Sequence, residues 1–246
     1  MKSLYITNMR RIGKSIFFII GLILAFVCTF VFTNETIGLG SHTGRMSMIG
    51  RTFFISIAII AFFTIYASLV TCFEYSDGVF RNKIISGYSQ KQIYFSGLFA
   101  QLSGVGIMWL VNIISGIIAG ARPTASDFVS FIVMLIGIVS YTTVIYSVSF
   151  RIRKPVVSVI VAYLLINVCF NMILFGNYMI MITKGVVNKV VILIYNINVM
   201  GQWFTRADMY AEDSNPGTII QILLSLAVMI LAIFVSTIKI NKRDLT

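Results

Sequence analysis

Six long apolar runs dominate the sequence and constrain what the chain can fold into. A helix rises about 1.5 Å per residue, so roughly 20 apolar residues cross the ~30 Å hydrocarbon core of a bilayer. Charged residues make up only 11% of the chain, against about 25% in soluble domains. The sequence therefore predicts an all-α integral membrane protein, one transmembrane domain over residues 1–246 with six spanning helices. The runs cover residues 16–32, 53–73, 95–119, 128–150, 156 to about 175, and 219–238.

Basic residues in the loops predict the orientation of the spans. About two thirds of the 19 Lys and Arg residues lie in the N-terminal segment, in residues 74–92 and 151–155, and after residue 238. Loops on the cytoplasmic side are enriched in Lys and Arg. Both termini are therefore predicted to be cytoplasmic, in a multi-pass protein of the plasma membrane. The net charge of +11 then reflects orientation and attraction to anionic lipid, and no nucleic-acid partner is expected.

The N-terminal segment combines apolar and basic residues ahead of the first run. Residues 1–14 suit a short helix at the cytoplasmic interface. The run over 16–32 has no small-x-small cleavage site behind it, so we expect a retained spanning helix rather than a secretory signal.

Residues 176–218 form a second irregular region, between the fifth and sixth runs. Its apolar core, interrupted by Asn and Lys, is too short to span, which predicts a re-entrant or interfacial hairpin on the outer side, enclosed by protein. Trp203 and Phe204 suit an anchor at the membrane interface. Thr218 and Gln221 have the spacing of a capping box that would begin the sixth span.

Residues that carry chemistry are scarce. The interiors of the six runs contain no Asp, Glu, Lys, Arg or His, whereas carriers coupled to protons or sodium usually keep such groups in the membrane. The HExxH motif is missing, and Gly13-Lys14-Ser15 supplies only the end of a P-loop. The three cysteines show no CxxC spacing. We therefore expect no enzymatic activity, metal or cofactor in this chain, so uphill transport would need energy from another polypeptide.

Residues 73–97 (FEYSDGVFRNKIISGYSQKQIYFSG) are unusually polar for their place between two spans. Asp77 and Arg81 stand four apart in the order that favours a helical ion pair. Gly87 is a helix terminator, and Ser89 with Gln92 has capping-box spacing for the third span. The pattern predicts a short helix at the cytoplasmic surface, joined rigidly to spans two and three and able to transmit the motion of a partner. The alternative is a solvated connecting loop.

The order of residues in this segment also resembles a known family. Placed after the second of six spans, the residues Glu74, Gly78, Arg81-Asn82-Lys83, Gly87, Ser89 and Ile93-Tyr94 are similar to the cytoplasmic loop of type-2 ABC exporter permeases. The nearest resemblance is to the bacitracin-export and lantibiotic-immunity permeases of Gram-positive bacteria. Gln90 departs from the pattern, since a basic residue is expected after the serine.

The resemblance implies a function and a set of partners. It makes residues 78–92 a coupling helix, the N-terminal segment an elbow helix beside the ATPase, and an amphipathic or antimicrobial peptide or an apolar compound the substrate. Two copies of an ABC ATPase would bind ATP and Mg²⁺, and a second permease chain, identical or homologous, would complete the translocation path. The implied ATPase-coupling residues are Glu74, Asp77, Gly78, Arg81, Asn82, Lys83, Gly87, Ser89 and Gln90.

Polar residues within the spans offer a candidate path. Asn112, Asn167 and Asn171 are expected to be buried amides, and Tyr163, Asn167 and Asn171 share one face of the fifth span. This strip of Tyr163, Asn167 and Asn171 would line the translocation path; alternatively, the amides only make interhelical hydrogen bonds worth about 0.6 kcal/mol each. Two other functions remain open, a non-transporting structural or sensory subunit and an uncoupled channel.

Overall fold

The computed structural model describes residues 1–34, 37, 48–152, 154–207, 214–238 and 240. Within these ranges the chain forms ten α-helices. In chain order they are α1 (Lys2–Lys14), α2 (Ile16–Thr33), α3 (Met48–Ser76), α4 (Val79–Ile85), α5 (Gln90–Ile118), α6 (Ala125–Arg151), α7 (Pro155–Ile182), α8 (Gly185–Ile197), α9 (Val199–Arg206) and α10 (Thr218–Thr237).

Six of these helices, α2, α3, α5, α6, α7 and α10, are long and apolar enough to cross a membrane. This confirms the predicted all-helical protein with six candidate spans. The fifth span is longer than its apolar run, because α7 continues through Gly176 to Ile182. A Cβ on Gly176 would lie 2.6 Å from the ring of Tyr195, so glycine here makes room for α8 instead of ending α7.

The helix α3 lies at the centre of the bundle, in contact with α2, α5, α6 and α7. A buried amide joins three of these helices: Asn112 on α5 accepts from Thr29 Oγ1 at 2.5 Å and donates to Ser56 Oγ at 2.6 Å. Side-chain hydrogen bonds of this kind fix neighbouring helices where water is excluded. The role of Asn112 is therefore interhelical, as one of the two alternatives predicted.

The two capping boxes predicted for the third and sixth spans can be compared with the starts of α5 and α10. Ser89 Oγ accepts from the Gln92 backbone N–H at 3.2 Å and the Ser89 N–H donates to Gln92 Oε1 at 3.0 Å, which confirms the first box. The second is wrong, because Gly217 occupies the cap position of α10. Arg206 instead donates to Thr218 Oγ1 at 2.7 Å and to Gln221 Oε1 at 2.8 Å, and burial lowers the pKa of its guanidinium.

One end of the bundle brings the N-terminal helix and the segment after α3 together. Leu4, Phe80, Phe150 and Ile240 belong to a single buried apolar cluster. We call this the basic end, defined by α1, α4, Arg151 and Lys154. The helices α8 and α9 come between α7 and α10 in the chain, and α9 packs on the half of α6 away from Arg151, where Trp203 bonds to Met134 O.

Candidate functional site

Helix α4 at the basic end is set off by two glycines with left-handed backbone. Gly78 (φ +67°) separates it from α3, and Gly87 (φ +86°) follows its last turn. The Gly87 N–H donates to Ile84 O at 2.9 Å and the Tyr88 N–H to Lys83 O at 3.2 Å, the two bonds of a Schellman motif. The predicted end at Gly87 is confirmed. The helix covers only part of residues 78–92, because the chain turns before α5.

The inner side of α4 is held by aromatic contacts. Phe80 is 2% exposed, its ring stacks on Tyr75 at a centroid distance of 4.0 Å, and it meets Phe150 edge-on at 5.3 Å. Tyr75 also donates its hydroxyl to Phe150 O at 2.9 Å. These contacts attach α4 to the ends of both α3 and α6.

Glu74 connects α4 to the N-terminal helix. Its Oε1 accepts from Arg11 Nη1 at 2.6 Å and its Oε2 from Lys83 Nζ at 2.9 Å. Lys83 Nζ also donates to Asn8 Oδ1 at 3.1 Å and lies 5.5 Å from the Phe80 ring centroid. Glu74 and Lys83 are both buried, so these two predicted coupling residues bind within the chain. Sequence reasoning missed Asn8 and Arg11. Asn8 is 75 positions from Lys83 and Arg11 is 63 positions from Glu74, so neither pair leaves a local pattern in the sequence.

The outer side of α4 faces away from the bundle. Arg81, Asn82 and Ile85 are exposed, Ile85 by 74%, and we call these three residues the outer face of α4. Of the other predicted residues, Asp77, Gly87 and Ser89 are exposed, and Gly78 and Gln90 are partly exposed.

The predicted helical ion pair between Asp77 and Arg81 is wrong. Asp77 precedes the left-handed Gly78 and is outside α4, so the i to i+4 geometry is lost. Its Oδ1 instead accepts from Ser76 Oγ at 3.4 Å.

The polar strip of the fifth span lies on the outer surface of the single chain. Tyr163 is 60% exposed, Asn171 is exposed and Asn167 is partly exposed. Asn167 Nδ2 donates to Tyr163 O and Asn171 Nδ2 to Asn167 O, both at 2.8 Å. The expectation that these two amides are buried is therefore wrong. Hydropathy identifies a span but does not show which of its faces another helix covers.

Helix α9 is enclosed by the rest of the chain, in contact with α3, α6, α7 and α8. Trp203 is 1% exposed, donates its Nε1–H to Met134 O at 3.2 Å, and lies 5.4 Å from the Trp109 ring centroid. Phe204 is 8% exposed. Trp203 and Phe204 are therefore core residues, and their interpretation as an interface anchor is wrong.

Amide side chains connect α8, α9 and α10. Gln202 donates to Asn196 O at 2.6 Å and accepts from Ser225 Oγ at 3.1 Å. Gln221 Nε2 donates to Asn196 Oδ1 at 2.8 Å. The bond from Gln202 satisfies the Asn196 carbonyl where α8 ends, and irregular backbone needs such partners wherever water is excluded.

Across the described ranges no group of three or more His, Cys, Asp or Glu side chains is placed to hold a metal ion. No protein-family model matches the chain, and no curated protein or solved structure is detectably similar to it.

Proposed function

We propose that this chain is the permease subunit of an ATP-driven exporter of the type-2 ABC kind, coupled through α4 to a separate ATPase. The observation that carries the proposal is the two-sided character of α4. Its inner side is fixed to three other helices, and its outer face is exposed. A helix of this kind is suited to receive a force on one side and transmit it on the other.

The inner contacts define how motion would pass into the membrane. Displacement of α4 would move α3 through Tyr75 and Glu74, and α6 through Phe150. The bond from Lys83 to Asn8 would carry it to α1, which acts as the elbow helix. ATP and Mg²⁺ bind to the partner, and the chain itself is not an enzyme.

The predicted coupling residues divide into three roles under this proposal. Glu74 and Lys83 position α4 from within, and Gly78 and Gly87 form the turns on either side. The exposed or partly exposed side chains would contact the ATPase. They are Asp77, Arg81, Asn82, Ser89 and Gln90, and Ile85 would add an apolar contact.

Two copies of the chain, or this chain and a homologous one, would form the transport path. The strip of Tyr163, Asn167 and Asn171 would face the second permease chain across it, since polar side chains are poorly suited to contact lipid tails. The helices α8 and α9 would form the re-entrant hairpin at the outer side. Spans with neutral interiors suit an amphipathic peptide or apolar substrate.

Co-purification tests the proposal directly. The tagged chain, extracted from its native membrane in mild detergent, is expected to retain a P-loop ATPase identified by mass spectrometry. Arg81→Glu reverses a charge on the outer face of α4 and is expected to lose the ATPase. Lys184→Glu, an exposed cation at the opposite end, should retain it. Absence of any ATPase in several detergents would overturn the proposal.

The alternatives predict different results. For an uncoupled channel, the polar strip would have to line a pore, and liposomes containing the protein would show flux without nucleotide. For a structural or sensory subunit, a deletion strain would keep unaltered peptide resistance.

A further inference from the structure

A groove runs between α6 and α10 at the basic end, and its lining residues have no role in the proposed coupling. Its volume is about 330 Å³ and its walls are almost entirely apolar. On α6 it extends from Val144 to Arg151, about 10 Å along the helix axis at ~1.5 Å per residue. It therefore reaches from the membrane surface into the hydrocarbon. The aliphatic lining consists of Val144, Val148, Val228, Leu231, Ala232 and Val235.

The mouth of the groove is cationic. Arg151 lines it and donates from Nη2 to Val235 O and Ile238 O, the latter at 3.3 Å, at the end of α10. The Nε–H of Arg151 is buried and has no hydrogen-bond partner among the described residues, so an anion would meet the guanidinium at its Nη groups. Lys154, three residues further on, is exposed. A guanidinium has five N–H donors, so Arg151 can hold α10 and still bind an anion.

We propose that this groove binds one acyl chain of an anionic phospholipid, with the headgroup phosphate beside Arg151. Aliphatic walls favour a hydrocarbon chain through burial of apolar surface. Basic residues at a membrane surface attract anionic headgroups, and arginine at this depth extends its charged group toward the surface. The walls include Leu231 and Val235, which are 60% and 51% exposed, so the groove opens sideways toward lipid.

The bound lipid would stabilise the end of α6. Arg151 directly follows Phe150, whose carbonyl oxygen accepts from Tyr75 and whose ring contacts Phe80. A phosphate on Arg151 therefore restrains the same helix end to which α4 is attached. The site does not depend on the function proposed above, since it needs only a bilayer containing anionic lipid.

Native mass spectrometry of the delipidated full chain tests the site. Phosphatidylglycerol and phosphatidylcholine with identical acyl chains are added back separately. We expect one phosphatidylglycerol to remain bound at about fivefold higher occupancy than phosphatidylcholine, the effect of a basic residue beside an anionic headgroup. Equal occupancy of the two lipids in the wild type would overturn the proposal.

Paired variants separate the groove from general lipid adhesion. Ala232→Trp fills the groove and is expected to lose the bound lipid, whereas Ala58→Trp fills a different apolar groove beside α2 and should retain it. Unchanged lipid occupancy in Ala232→Trp would overturn the proposal. The proposal would also be overturned if Ala232→Trp converted dimers to monomers while the lipid stayed bound, because the groove would then be occupied by a second copy of the chain.

The charge is tested by Arg151→Gln, which is expected to reduce phosphatidylglycerol occupancy to that of phosphatidylcholine. Arg122→Gln, an exposed arginine at the opposite end, serves as the control. Because Arg151 also holds the end of α10, Arg151→Lys provides a second variant that keeps the positive charge and is expected to keep the lipid preference. Loss of the preference in Arg151→Lys, in a chain that still folds, would contradict a charge-based site.

Discussion

At the residue scale, the basic end depends on one carboxylate. Glu74 holds Lys83 and Arg11, from two different helices, at 2.9 Å and 2.6 Å. The side chain of Lys83 is only 9% exposed, whereas that of Arg11 is 39% exposed. Removing one partner of a buried ion pair leaves the other charge desolvated and uncompensated, while exposed pairs contribute little. The energetic importance of Glu74 therefore comes mainly from Lys83.

Glu74→Gln is expected to lower the free energy of unfolding by about 3 kcal/mol, since Lys83 remains buried without its counter-charge. Thermal unfolding in detergent measures this as a lower midpoint. Asp77→Asn is the matched control: its carboxylate is exposed, so we expect a change within about 0.5 kcal/mol. Equal midpoints for both variants would show that the Glu74 ion pairs contribute no more than a surface charge.

Gly87 provides a second test at this scale. A Cβ added there meets nothing within 4 Å, but φ is +86°, so Gly87→Ala is expected to cost about 1 to 2 kcal/mol through backbone strain alone. Gly13 also has nothing within 4 Å of an added Cβ and lies within helix α1. Gly13→Ala is therefore expected to be neutral or stabilising. Thermal midpoints that shift in the same direction would contradict the assigned backbone conformation.

At the element scale, α4 is a helix that cannot form by itself. It has seven residues, whereas isolated helices shorter than about 12 residues are marginal in water. Its helical structure must come from contacts made by its inner side, above all those of Phe80 with Tyr75 and Phe150.

Phe80→Ala is expected to free α4 from the bundle and raise the rate of hydrogen exchange at its amides, with exchange in the body of α5 unchanged. Ile85→Ala, on the same helix but 74% exposed, should leave the exchange of α4 at the wild-type rate. Hydrogen exchange followed by mass spectrometry measures both. If Ile85→Ala has the larger effect, the inner and outer sides of α4 are wrongly assigned.

Helix starts were predictable from the sequence where both partners of the capping hydrogen bonds lie close together in the chain. Ser89 and Gln92 cap α5 as their spacing indicates, because both partners lie within one turn. Thr218 and Gln221 have the same spacing, but Arg206 competes for both side chains from another helix. A cation 12 to 15 residues away is invisible to a three-residue pattern.

At the scale of the whole molecule, hydropathy predicted the six candidate spans but not their neighbours. Asn112 and Asn171 looked equivalent in the sequence, yet Asn112 is fully buried and Asn171 is exposed. Burial in a bundle is set by which helices meet, and that depends on contacts distant in sequence. The candidate site followed the same rule: the place of α4 was predictable, whereas the bonds of Lys83 to Asn8 and of Glu74 to Arg11 were not.

The exposed strip on α7 leads to a prediction about assembly. In a chain freed of its native cysteines, Asn171→Cys is expected to cross-link to a second copy through a thiol-reactive bifunctional linker in native membranes, because the strip would face the partner chain across the path. Ile107→Cys, 40% exposed in the wild type and at a similar depth on α5, should remain monomeric on denaturing gels. Cross-linking of Ile107→Cys but not Asn171→Cys would place the interface elsewhere.

The hydrogen bonds of Asn112 also have a consequence for biogenesis. A ribosome synthesises the chain from its N-terminus, so Thr29 and Ser56 reach the membrane 83 and 56 residues ahead of their amide partner. Ser56 Oγ also donates to Thr52 O within its own helix at 3.0 Å, which keeps its hydroxyl satisfied during the delay. The hydroxyl groups of the first two spans therefore gain their shared amide partner only when the third span is inserted.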